Sequence, residues 1–216
     1  MKNVKRNFII AAGLLAAFVL WTVAVCFVDV QAVGPRSSSV GFATVNSFVH
    51  NLTGVNFTLY VITDWLGLVP VAVCLGFSIF GLAQWIRRRN ITKVDFDIQM
   101  LGVFYIVVMA VYILFEFVVI NRRPTLIDGY LETSYPSSTT MLVLCVMPTA
   151  LMQFNKRIKN AVFRKAVTIT IIAFIVFMVV GRLVSGVHWL SDIVGGVLVS
   201  SGLVLMYYSV CKRFEN

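Results

Sequence analysis

The sequence predicts an all-α, polytopic membrane protein: six transmembrane helices in a bundle, with both termini in the cytoplasm. Three observations carry this expectation. Hydrophobic residues make up 59% of the 216-residue chain and charged residues only 12%, with a mean hydropathy of +0.91. A soluble domain carries about 25% charged residues. Six apolar runs are long enough, or nearly so, to cross a hydrocarbon core roughly 30 Å thick. Lysine and arginine alternate in density from one connection to the next, as the positive-inside rule requires.

The runs fall near 8–30, 57–85, 98–120, 138–154, 166–183 and 191–210. The first follows the basic start MKNVKRN and resembles a signal peptide, but it is far longer than the roughly 7–15 residues of a signal h-region. It is read as a membrane helix. The fourth is short and contains Pro148. Fourteen of the eighteen Lys and Arg residues lie in the N-terminal end, the 86–97 and 155–165 loops and the C-terminal tail. The other connections hold only Arg36, Arg122, Arg123 and Arg182. This asymmetry places both termini inside. The net charge of +9 is therefore mostly a topology signal, with some attraction to anionic lipid, and no nucleic-acid feature accompanies it. Within 31–56, residues 40–52 read as a short amphipathic helix lying on the membrane and carrying His50. Trp65 and Trp189 near the outer boundary and Trp85 near the inner one read as an aromatic belt. Cys26, Cys74, Cys145 and Cys211 lack metal-ligand spacing and are read as packing residues without a disulfide. The sequons at Asn51, Asn56 and Asn90 are read as chance.

Chemistry concentrates in the outer connections. The stretch 181–192, GRLVSGVHWLSD, closes one apolar run and opens the next. If the chain is helical from Val187, His188 and Asp192 are four apart and share a face. Asp192 would then fix the tautomer of His188 and leave the other ring nitrogen as base or nucleophile. Arg182 offers a fork of donors suited to phosphate or carboxylate. Ionisable residues at membrane depth are costly and tend to be functional. The competing reading is an interfacial polar cluster that ends one helix and begins the next. Arg122, Arg123 and Pro124 follow the third run directly. Glu116 lies seven residues before Arg123 and shares its face if the helix runs that far. Tyr135-Pro136-Ser137-Ser138-Thr139 leads into the fourth run, where hydroxyls and free N–H groups meet at a helix start. Such a start suits an anion, and equally an ordinary helix cap.

Together these segments resemble the membrane lipid-phosphatase branch of the type 2 phosphatidic acid phosphatase and haloperoxidase superfamily. The family's motifs KxxxxxxRP, PSGH and SRxxxxxHxxxD occur in this order on six helices. Here the first reads EFVVINRRP, the second PSST and the third GRLVSGVHWLSD. Arg123, Pro124, Pro136, Ser137, Arg182, His188 and Asp192 match. The resemblance covers roughly 57–210 of a single membrane domain, with 1–56 supplying the first helix and the outer amphipathic loop. It implies His188 as nucleophile through a phosphohistidine and Asp192 as its partner. Arg123, Arg182 and Ser137 are implied phosphate ligands, with Ser138 and the extra cation Arg122 beside them. It implies no metal and no cofactor.

Three positions depart from the family, one of them Ser138 in place of the second-motif glycine. Glu116 stands for the first-motif lysine, and Thr139 for the second-motif histidine that protonates the leaving group. A hydroxyl is too weak an acid for that task near neutral pH. His50, Glu116 and Glu132 are the candidate replacements. The expected function is hydrolysis of a membrane lipid phosphate or diphosphate on the outer face of a bacterial cytoplasmic membrane. The alternatives are a weak or inactive relative that binds lipid-phosphate headgroups, and a transport or assembly protein, towards which Asp64 in the second run leans.

Overall fold

Long apolar runs satisfy their backbone polar groups internally, so in lipid they become helices. The computed structural model describes residues 2–214. They form α1 (Lys2–Phe27), α2 (Ala43–Thr53), α3 (Phe57–Leu66), α4 (Leu68–Arg88), α5 (Phe96–Phe117), α6 (Ser138–Arg157), α7 (Ala161–Val184) and α8 (Leu190–Phe214). The protein is all-α and polytopic. Among the described residues, five helical stretches are long and apolar enough to cross a membrane: α1, α3 with α4, α5, α7 and α8. Their outer faces carry exposed Leu20, Ile106, Phe117 and Val162, a surface suited to lipid rather than water. Asn56 and Asn160 cap α3 and α7 by accepting the N–H groups of Leu59 and Phe163, at 2.9 and 3.0 Å.

The remaining long helix, α6, packs against α4, α5, α7 and α8. It buries Thr140, Thr149 and Gln153 and contains Pro148. Because neighbours enclose it, its polarity is tolerated. The Thr149 hydroxyl returns to the Cys145 carbonyl at 2.8 Å, as small polar side chains do inside helices.

The expected continuous run over 57–85 is broken. Pro70 has no N–H for the Leu66 carbonyl, and its ring crowds that group. The chain turns at Gly67, whose N–H meets the Thr63 and Asp64 carbonyls at 3.1 and 3.0 Å. The resulting short α3 packs against α7. The short helix expected over 40–52 is α2. Trp189 does not join a lipid-facing belt: it is buried, whereas Trp65 and Trp85 are exposed.

At the end of the bundle away from His188, buried Asp97 pairs with Lys156 at 2.9 Å and Arg157 at 3.2 Å. Tyr207 donates to the Asp97 carbonyl at 3.1 Å and accepts from Gln153 at 2.6 Å. This network fastens α5, α6 and α8. At the other end, Gly186 turns the chain between α7 and α8 with φ +68, and a Cβ there would lie 1.9 Å from the Gly54 carbonyl oxygen. Gly186→Ala is expected to lower the thermal midpoint in detergent, with about 1–3 kcal/mol of backbone strain alone. Gly129→Ala should cost less, because that positive-φ residue faces open space.

Candidate active site

The first turn of α8 organises the site. Asp192 Oδ2 accepts the Trp189 backbone N–H at 3.0 Å, in the manner of a capping box. Its other oxygen accepts from the Asn121 amide at 3.1 Å. Ser191 N–H donates to Asn46 Oδ1 at 3.0 Å, and the Ser191 carbonyl accepts from Trp21 Nε1 at 3.1 Å. Thus α1, α2 and the α5–α6 loop all reach one helix start. His188 precedes that helix, which begins at Leu190, so His188 and Asp192 do not share a helical face. The loop nevertheless brings His188 Nδ1 to 3.7 Å from Asp192 Oδ2.

The other ring nitrogen meets two cations. His188 Nε2 lies 3.5 Å from Arg123 Nη1 and 3.4 Å from Arg182 Nη2. A guanidinium can only donate, so Nε2 carries the lone pair and Nδ1, on the side of Asp192, carries the proton. Burial, then the charges of Arg123 and Arg182, hold the His188 pKa well below the ordinary imidazole range.

Each arginine has a carboxylate neighbour. Arg182, buried on α7, reaches Asp64 Oδ1 at 3.5 Å and Thr63 Oγ1 at 3.4 Å. Arg123 Nε lies 2.9 Å from Glu132 Oε2. The Tyr60 ring lies 5.1 Å from the Arg182 guanidinium carbon and 5.9 Å from that of Arg123, a cation–π arrangement for both. Arg122 gives Nη1 to the Leu131 carbonyl at 3.0 Å, and its own carbonyl accepts from Trp189 Nε1 at 2.7 Å.

A cavity of about 400 Å³ opens over this cluster, with Glu116, Arg122, Arg123, Glu132, Ser138 and His188 in its wall. Glu116 and Arg123 do not share a helical face, because α5 stops at Phe117, yet both line the cavity. Ser137 is buried, its N–H donates to the Asp192 carbonyl at 3.1 Å, and its hydroxyl has no partner among the described residues. Thr139 is absent from the cavity wall: a Cβ placed on Gly67 would lie 3.7 Å from its methyl group, so it faces the α3–α4 break. His50 also stays out of the cavity and packs its ring 5.4 Å from that of Trp189. Among the described residues, no group of three or more His, Cys, Asp or Glu is gathered for a metal ion.

Asn46, Asn121, Tyr60 and Thr63 escaped the sequence reading. Asn46 carries no local signal, since only the docking of α2 brings it to α8. Asn121 sits directly before the two arginines, and a polar residue at a helix exit was a usable cue. Tyr60 and Asp64 are one turn apart on α3, and Asp64 was the polar residue that stood out in its run.

The fold is that of a polytopic membrane protein with a buried histidine–arginine cluster at one end of the bundle. Residues 117–215, from the end of α5 through α8, match the PAP2 superfamily. Among solved structures, the chain resembles the first transmembrane PAP2 type phosphatidylglycerolphosphate phosphatase from Bacillus subtilis. The TM-score is 0.55 at 18% identity, over 94% of this chain and 96% of that one. The likeness shows a common fold. No curated protein sequence matches the chain.

The electrostatics give a testable pH behaviour. Burial and two cations all disfavour the imidazolium. His188 is therefore expected to stay neutral as pH falls through 6.5 and to titrate only further down. NMR of labelled histidine in detergent, assigned with His50→Ala, reads this directly. A His188 midpoint at or above 6.5 would contradict the arrangement.

Proposed function

We propose that the protein is a membrane lipid phosphatase that works through a phosphohistidine at His188. One observation carries this reading: a buried, neutral imidazole in the wall of a cavity turns its lone pair toward two arginine forks, of which Arg123 lines the same cavity and Arg182 lies behind it. In the reaction, Nε2 attacks phosphorus and the bond to the leaving oxygen breaks. The Arg123 and Arg182 N–H groups turn from the lone pair to the phosphoryl oxygens, where negative charge develops. Asp192 stabilises the cationic ring that forms, as the carboxylate of a catalytic triad does. Ser137, Ser138, Arg122 and the free amides at the start of α6 add donors. The phosphatase-like core runs over about 57–210 of one membrane domain, and α1 and α2 brace it. The distribution of Lys and Arg supports cytoplasmic termini and a site on the outer face of a bacterial cytoplasmic membrane.

The leaving group decides the substrate class. A lipid phosphate monoester must expel an alkoxide, which needs a proton. A lipid diphosphate expels a phosphate monoester, a much weaker base. Thr139 supplies no acid, and neither His50 nor Thr139 lines the cavity. The arginine cluster suits the extra charge of a diphosphate. The reading is therefore a phosphatase that favours lipid diphosphates such as a polyprenyl diphosphate. The same missing acid favours, as a second reading, a relative that binds lipid-phosphate headgroups with little turnover.

Purified protein should release phosphate from polyprenyl diphosphate faster than from phosphatidylglycerophosphate or phosphatidate. His188→Ala should abolish release, and Arg182→Lys should impair it strongly because the fork is lost. Equal rates on all three lipids would remove the diphosphate preference, and full activity in His188→Ala would remove the mechanism. For orientation, a cysteine at Gly129 should react with an impermeant reagent from outside, whereas cysteines at Asn90 and Asn160 should not. Asn216, expected inside, lies outside the described residues.

A further inference from the structure

A phosphohistidine is productive only if water can remove the phosphoryl group, and that water must lose a proton. Thr139, at the position of the family's acid–base histidine, is turned toward Gly67 and is not in the cavity wall. We infer that Glu132 is the general base for this second step. The inference rests on the phosphohistidine reading above.

Glu132 lines the same cavity as His188. Its carboxylate is held 2.9 Å from Arg123 Nε, and Nη1 of that arginine is 3.5 Å from His188 Nε2. One guanidinium therefore spans the base and the nucleophile. The backbone fixes this register: Arg123 N–H donates to the Glu132 carbonyl at 3.1 Å, and Ser134 N–H to the Asn121 carbonyl at 3.0 Å. An isolated bridge pairs Arg122 with Thr133 between them. The side chain is 45% exposed, so water has access to it. The other carboxylates fit less well. Glu116 lines the cavity but makes no ion pair with either arginine among the described residues. Asp64 pairs with Arg182 from the α3 side and is absent from the cavity wall.

The step balances as follows. The water oxygen attacks phosphorus while Glu132 takes one of its protons. The P–Nε2 bond breaks, and its electron pair returns to His188 as the lone pair. The products are inorganic phosphate, neutral His188 and a Glu132 carboxylic acid, which passes its proton to the departing phosphate or to solvent. The first step needs no proton from Glu132 when the leaving group is a lipid monophosphate. The same carboxylate can thus serve a diphosphatase without being protonated beforehand.

The test is a rapid-quench experiment on Glu132→Gln in detergent, with polyprenyl diphosphate labelled at the terminal phosphate. The variant should keep a burst of lipid monophosphate and accumulate acid-labile label on His188. Its steady-state turnover should fall by about 10²–10⁴-fold, the usual worth of a general base. Glu132→Asp, which keeps the carboxylate with a shorter reach, should keep the burst and lose less turnover. Unchanged turnover in Glu132→Gln would overturn the proposal. Loss of burst and turnover together would also overturn it, because Glu132 would then merely align Arg123. Failure of the unsubstituted protein to become labelled at all would instead remove the phosphohistidine reading.

Discussion

Two guanidinium groups converge on one unprotonated imidazole, and most of the surrounding structure exists to permit this. A buried ion costs several kcal/mol even after the protein relaxes around it. Arg182 is 1% exposed and Arg123 8%, and both point at His188 Nε2. The fold offsets that cost with a carboxylate for each, Asp64 and Glu132, and with the face of Tyr60 between them. These partners come from α3 and the α5–α6 loop, the arginines from α7 and that same loop. The break at Gly67 therefore matters to the chemistry, since it leaves α3 as a separate short helix packed on α7.

The other ring nitrogen of His188 depends on a second set of contacts. Asp192 has one oxygen on the Trp189 N–H and the other on Asn121, so its carboxylate is held from two directions. Asn46 and Trp21 secure the adjacent Ser191. The first two helices thereby support a site to which they contribute no ligand. A charge placed on Asp192 in the first turn of α8 also lies at the positive end of that helix, where it is favoured.

How much of this was legible from the residues varies with the physics involved. The helical class and the rough positions of the long helices followed from apolar run length, a signal that lipid makes strong, whereas α6, expected as a span, is not among the five stretches apolar enough to cross. The break at Gly67 followed from Pro70, which was visible in the run but easily absorbed into it. The residues of the histidine cluster were legible because arginine, histidine and aspartate are rare in such a chain. Their geometry was not. The pairing of His188 with Asp192 runs across a loop rather than along a helix, and Thr139 turns away from the cavity. Asn46 and Asn121 were silent because an asparagine's worth lies in the partner that tertiary packing brings to it.

Trp189 joins several parts of the site at once. Its backbone N–H holds Asp192, its indole N–H holds the carbonyl next to Arg123, and its ring meets His50. Of the four tryptophans, Trp65 and Trp85 are exposed, while Trp21 and Trp189 both donate indole hydrogen bonds around the start of α8. The protein thus carries its own optical gauge. Any rearrangement of the arginine loop changes the polarity and hydrogen bonding of the Trp189 indole. The intrinsic emission of the chain therefore contains a signal from the His188 end of the bundle, with no added label.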